Sequence, residues 1–166
     1  MYKIKDGIPK VEPKIFKARL VAKSFTQREW IDYTEVFSPI VKHTSIRIIL
    51  SLVAIYDMHL EQLDVKKPFL NSDLQEEIIM SQPEGFVDTN HLDRVCLLRK
   101  SLYGLTQSLR QWYLKFDNYM QELNFQKSSY DYCVYFRKTD EKRWFILSYM
   151  LMICFWSVRI CSWLIY

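Results

Sequence analysis

Hydrophobic and polar positions alternate with changing periods along this chain, and the order of those periods predicts its elements. In "IFKARLVAKSF", Phe16, Ala18, Leu20 and Ala22 alternate with Lys17, Arg19 and Lys23, the period of a half-buried strand with a basic outer row. From Thr44 the period becomes helical, with Ile46, Ile49, Leu50, Val53 and Ala54 on one face and Thr44 or Ser45 as the expected cap of the first turn. "MHLEQLDV" reads as a strand ending at Asp64, and "QEEIIMSQP" and "RVCLLRK" as two further short strands. Leu109, Trp112, Tyr113, Phe116, Met120 and Leu123 then recur at three and four residues, which predicts a second amphipathic helix. "YCVYFRK" and "RWFILSYMLM" make an expected hairpin around "TDEK". No internal repeat or low-complexity linker interrupts this order. The predicted fold class is α+β, an antiparallel sheet with two main helices.

Composition narrows the class further. With 166 residues, 49% hydrophobic and 25% charged, the chain has the balance of a globular domain rather than a disordered one. The net charge of +4 is unevenly spread: Lys3, Lys5, Lys10, Lys14, Lys17, Arg19 and Lys23 face only Asp6 and Glu12 in the first stretch. Such a run is a solvated face or a surface for a polyanion. Cys96, Cys133, Cys154 and Cys161 show no CxxC pair and no His at ligand spacing, so they read as small buried hydrophobes rather than a zinc site or a disulfide framework. The opening "YKIKDGIPKVEPKIFKARL" is charged where a secretory signal is apolar, and a reducing, cytoplasmic setting is the expectation.

One carboxylate stands out by position. Asp64 closes an apolar strand, where an aspartate commonly makes a turn or a cap, and its spacing alone does not make it catalytic. The surrounding residues add to this. "FKARLVAKSFTQREWIDYTEVFSPIVKHTSIRIILSLVA", "LEQLDVKKPFLNSDLQEEIIMSQPEGF", "VCLLRKSLYGLTQSLRQWYLKFDNYM" and "YDYCVYFRK" closely resemble the reverse transcriptase of Ty1/copia-type LTR retrotransposons, as found in plant genomes. The resemblance runs in order from about Lys5 to Ser148. It implies the fingers and an incomplete palm of a right-hand polymerase, which copies an RNA template from a DNA primer with deoxynucleoside triphosphates and two metal ions, Mg2+ or Mn2+. An intact Pol protein is the further partner it implies.

By the same resemblance, Asp64 matches the first metal-binding, catalytic aspartate of the palm. Two metal ions must activate the primer 3′-hydroxyl and neutralise the triphosphate, which requires carboxylates converging from adjacent strands. Arg19 resembles the fingers arginine that grips the incoming triphosphate, with Lys17 and Lys23 as phosphate contacts. Phe69 stands where the family places the aromatic beneath the sugar that excludes a ribose 2′-hydroxyl. "SLYGLTQS" resembles the segment lining the nucleotide and template pocket, with Tyr103 and Gly104 the closest matches.

Several positions depart from the family pattern. Ser24, Trp30 and Ser72 replace glycines, so a turn that requires positive φ would carry a side chain. Pro68 replaces a small residue whose backbone N–H faces the triphosphate, and proline has none. Thr106 and Leu109 stand where the pocket loop carries Lys and Pro.

The largest departure is the tail. The family continues with a strand reading Tyr-Val-Asp-Asp-Met-Leu, whose aspartates complete the metal site, whereas this chain reads "YMLMICFW" from Tyr149. One choice of codons for that stretch, TAT ATG TTG ATG ATA TGC TTT TGG, yields Tyr-Val-Asp-Asp-Met-Leu-Leu when read from the third base. The expectation is that a small insertion or deletion near Ser148 divides the chain into a fingers and palm fragment, residues 1–148, and an out-of-frame hydrophobic tail, residues 149–166. The tail reads as a palm strand through about Met152 followed by a frayed or helical end. A membrane anchor from Trp144 is long enough, but Arg159 inside it is unfavourable by a few kcal/mol.

The resemblance leads to the expectation of a truncated, catalytically inactive reverse transcriptase fragment, without thumb or RNase H. The alternatives are a non-catalytic nucleic-acid-binding remnant and, more weakly, a tail-anchored membrane protein. Sequencing the gene around codon 148 is expected to show the neighbouring frame spelling Tyr-Val-Asp-Asp and continuing into polymerase sequence. Unrelated residues in both other frames would refute the frameshift.

Overall fold

Two units, each assembled from separated stretches of sequence, make up the chain: residues 1–36 with 69–111, and residues 37–68 with 112–166. The structure, a computed structural model, describes residues 1–7, 13–139, 144–150 and 154–159. It is mixed α and β, with small antiparallel sheets and three helices.

The first unit contains two antiparallel ladders. Strand β1 (Tyr2–Lys5) pairs with β2 (Ile15–Ala18), with Lys3 opposite Lys17 and Ile4 opposite Phe16. The expected half-buried strand is not what forms: β2 is exposed on both faces and ends at Ala18, and among the described residues its sheet has only the two strands β1 and β2. Only Ala22, beyond the strand, reaches the core. Strand β4 (Asp73–Ser81) pairs with β5 (Val95–Lys100) as the sequence predicts, with a register shift between Asp73 and Ile78. Their inner face meets Leu102 and Leu105, which pack with Ile78, Leu74 and Leu98. The connection between them is tied internally: Gln82 Nε2 donates to the His91 and Arg94 carbonyls at 2.9 and 3.0 Å, and its Oε1 accepts from the Asp88 amide.

Trp30 has φ +68°, in the left-handed region that disfavours a side chain. This is one of the three positions where the resembled family has glycine. Ser24 and Ser72 do not share the strain: Ser24 opens a 3-10 turn, and buried Ser72 accepts the Ser101 amide on its carbonyl at 2.8 Å.

In the second unit, helix α1 (His43–Ile55) covers a five-stranded sheet ordered β3-β9-β8-β7-β6. The strands are β3 (His59–Leu63), β6 (Gln126–Lys127), β7 (Val134–Lys138), β8 (Trp144–Met150) and β9 (Cys154–Arg159). The expected hairpin exists as the β7–β8 pair, although its turn residues 140–143 lie outside the described residues. Strict alternation serves both faces: Val134 and Ile146 pack with Ile49, Leu52 and Met58 beneath α1, while Tyr135 and Tyr149 turn to helix α3 (Ser108–Glu122). The α1 stripe is narrower than its periodicity suggests, since Leu50 and Ala54 are exposed. The end expected to be frayed or helical is instead strand at residues 154–159, paired with both β3 and β8. Its Cys, Phe, Trp and Val content favours that conformation. No helix among the described residues is long and apolar enough to cross a membrane. Of the cysteines, Cys133 is fully buried, which pushes its thiol up to about 12, with the Asp131 charge adding to the shift; Cys96 is half-buried.

Neither Thr44 nor Ser45 caps α1, which begins at His43 after Lys42 without a side-chain cap bond. A distant carboxylate takes that place. Buried Asp131 accepts the Lys42 amide at 2.9 Å and the Ser45 hydroxyl at 2.6 Å on Oδ2, and the Cys133 amide at 3.0 Å on Oδ1. Burial alone would raise this carboxyl, but the three donors outweigh it and hold it below its ordinary 3.8. Its stabilising effect is therefore present above 3.8 and lost as pH falls through the lowered folded-state value. Asp131→Asn is expected to cost about 1–3 kcal/mol at neutral pH by stranding a donor. On acidification below 3.8, wild-type stability should fall more steeply than that of the variant, as read by urea denaturation at each pH.

Candidate nucleotide-binding site

Four of the residues singled out by the sequence come together in the first unit. Arg19 lies just past β2, its backbone bonded in both directions to Met1 at 2.9 Å. Its guanidinium carbon stands 5.8 Å from the centre of the Tyr103 ring, within cation–π range. The Tyr103 ring in turn meets the Phe69 ring edge to face, 5.4 Å apart at 86°. The Tyr103 carbonyl accepts the Ala22 amide at 2.7 Å, and Val21 bridges Tyr103 in parallel. Gly104 follows with φ +91°, and a Cβ there would stand 2.3 Å from the Ala22 carbonyl oxygen. The segment after β2 and the Tyr103–Gly104 turn are thus in backbone contact, which only glycine permits.

Lys17 is not in this group; it is exposed on the β1–β2 ladder opposite Lys3. Phe69 is buried in the short helix α2 (Pro68–Asn71), whose first residue is Pro68, a position where the missing N–H is tolerated. Lys67 before it has φ +56°.

Sequence reasoning missed the polar side chains that hold the turn. Gln27 Oε1 accepts both the Thr106 amide and the Thr106 hydroxyl at 2.9 Å, and its Nε2 donates to Gln107 Oε1 at 3.0 Å. Fully buried Gln107 donates onward to the Asp32 carbonyl at 3.0 Å. Ser101 donates to Ser108, and Ser108 to the Leu102 carbonyl, closing the turn on itself. These partners of Gln27 are 79 or 80 residues distant in sequence and follow no period. A glutamine in an otherwise basic and aromatic stretch was the only available signal.

Asp64 belongs to the second unit, exposed immediately after β3. Leu63 pairs with Phe155 of β9, and neither β9 nor the adjoining β8 carries an Asp or Glu. Among the described residues no group of three or more His, Cys, Asp or Glu is placed to hold a metal ion. One exposed carboxylate does not fit a two-metal centre, which needs acids converging from neighbouring strands.

Comparison with known proteins identifies the family. Residues 1–158 match the family model described as "Reverse transcriptase (RNA-dependent DNA polymerase)". The chain is 54% identical over 132 residues to the retrovirus-related Pol polyprotein from transposon TNT 1-94 of Nicotiana tabacum, covering 80% of this chain and 10% of the relative. It is 42% identical over 135 residues to that from transposon RE1 of Arabidopsis thaliana, covering 81% and 9%. The corresponding polyprotein from transposon RE2 of the same plant is 47% identical over 116 residues, covering 70% and 8%. The chain thus spans about a tenth of the length of these relatives. No solved structure matches it.

Gly104 and Gly85 separate packing from backbone conformation. Both have positive φ, +91° and +82°, but a Cβ at Gly85 would meet nothing within 4 Å. Alanine at either is expected to cost about 1–3 kcal/mol from conformation. Gly104→Ala should cost measurably more in equilibrium denaturation, and equal losses would mean that the approach to Ala22 is not maintained in solution.

Proposed function

Because the chain belongs to the reverse transcriptase (RNA-dependent DNA polymerase) family, we propose that it is a copia-type polymerase segment that keeps a nucleotide-gripping half-site but does not synthesise DNA. In this reading Arg19 takes the triphosphate, with Lys17 and Lys23 as outer phosphate contacts. Phe69 stands beneath the sugar, and Tyr103 and Gly104 line the pocket. The proximity of Arg19, Phe69, Tyr103 and Gly104 supports the grouping. Asp64 stands in the place of the family's first metal ligand, but without a converging acid among the described residues it does not retain the Mg2+ or Mn2+ of that site.

One observation carries the loss of catalysis: after Glu141 the chain contains no Asp or Glu. When bound, the metal ions activate the attacking hydroxyl and stabilise the transferring phosphate. Asp64 alone cannot hold such a pair, and removing ligands from such a site costs orders of magnitude in rate. Glu61 does not substitute. It precedes Asp64 by three positions, so it points to the opposite side of the strand, and its carboxylate lies 2.9 Å from His59 Nε2. Pro68 brings a second defect, since it has no N–H to offer a phosphate. The codon reading supports residues 149–166 as out-of-frame translation, and strand-forming residues survive the shift.

A second reading, retention of nucleic acid without turnover, is favoured by the ladder. Lys3 and Lys17 are directly opposite, an arrangement that is unfavourable unless an anion lies across it. Tyr2 and Phe16 are exposed on the other face, where unpaired bases can stack.

Primer extension on an RNA template with Mg2+ or Mn2+ is expected to stay at the no-enzyme level. Templated incorporation abolished by Asp64→Asn would overturn the inactive reading. Salt-sensitive RNA binding lost in Lys3→Glu/Lys17→Glu would establish the second.

A further inference from the structure

We infer that Gln27 is a positioning residue for the nucleotide-gripping half-site, holding the Tyr103 ring under the Arg19 guanidinium by fastening the far end of the turn that carries Tyr103. The inference rests on the reading of Arg19 as the phosphate-binding group. The turn from Ser101 to Ser108 meets the segment that follows β2 at two places. Near Arg19, the Ala22 amide bonds to the Tyr103 carbonyl and Gly104 lies against the Ala22 carbonyl. At the other end, the half-buried Gln27 side chain takes both donors of Thr106 on one oxygen and gives its amide to Gln107.

Leu102 and Leu105 hold the turn from the core side, but on the side of the segment after β2 a single attachment at Tyr103 would leave the Thr106 end unfastened. Two attachments, five residues apart on one segment and three apart on the other, remove that freedom and set the plane of the ring. The Gln27 side-chain bonds go to Thr106 and Gln107, so its effect reaches the guanidinium through the turn. The choice of glutamine follows from the donor set. Thr106 presents an amide and a hydroxyl, which need one acceptor with two lone pairs, while the Gln107 oxygen needs a donor. One side-chain amide meets both demands. Thr106 itself departs from the lysine of the resembled family, and here its hydroxyl supplies one of those bonds.

The experiment uses the full chain and two readouts, the NMR shift of the Arg19 Nε–H group, which senses the Tyr103 ring current, and the affinity for inorganic tripolyphosphate and for dTTP. Gln27→Ala is expected to move the Arg19 resonance toward its position in Tyr103→Leu and to weaken both ligands about five- to tenfold. Gln27→Glu, which keeps the oxygen for Thr106, should recover most of the resonance shift. Thr106→Val, which removes one of the two donors without opening a cavity, should shift the resonance partway and serves if Gln27→Ala fails to fold. An Arg19 resonance unmoved in Gln27→Ala and in Thr106→Val would overturn the inference. If the resonance moves but no form binds either ligand in an Arg19-dependent way, the positioning stands and the nucleotide reading fails.

Discussion

A carboxylate buried beneath a helix has to be matched by donors, and in the larger sheet unit that requirement sets how α3 lies on the strands. Asp117 accepts the Tyr135 hydroxyl at 2.8 Å, the Lys127 ammonium at 2.8 Å and the Gln121 amide at 3.0 Å. Lys127 also donates to the Tyr113 hydroxyl at 3.0 Å. Burial opposes the charged lysine, but the bonds to Asp117 and Tyr113 outweigh it and raise its pKa. Burial, joined by the bond to Asp117, drives the Tyr135 phenol upward and keeps it a donor. Removing any one donor would leave a buried charge partly unmatched, so helix, β6 and β7 are held in one arrangement. Around this centre Phe116 stacks on Tyr149 at 4.9 Å and meets Tyr135 edge to face at 5.5 Å.

The proposed nucleotide half-site depends on a different kind of constraint. Leu102 and Leu105 anchor its turn in the core, while the Gly104–Ala22 contact and the Gln27 bonds join that turn to the segment after β2. Its strain is local and specific. Gly104 adopts its left-handed conformation without a Cβ penalty, whereas Trp30 carries that penalty in full.

The elements with strong periods were legible before any coordinates. The Trp112, Tyr113, Phe116 and Met120 stripe is buried as its spacing demands, and β4, β5, β7 and β8 form where alternation or apolar runs indicate. The first strand was misread because alternation reports what a strand could bury, not whether a second layer exists to cover it. The α1 cap was misread because a local Ser or Thr signal competes with carboxylates elsewhere in the chain, and Asp131 is 89 residues from Lys42. Short elements such as α2 and β6 have too few positions to show any period.

By itself the sequence determined the family, the two main helices, the identity of the candidate site residues and the absence of acids after Glu141, because each is written in residue type and spacing. Only the tertiary structure decided which candidates meet. It brought Arg19, Phe69, Tyr103 and Gly104 together and left Lys17 outside on its ladder. It also showed residues 154–159 closing the sheet between β3 and β8, and Gln27 bonded to the turn. These outcomes rest on contacts between residues far apart in the chain, whose energies depend on distance and desolvation in the folded state and leave no periodic trace in the order of residues.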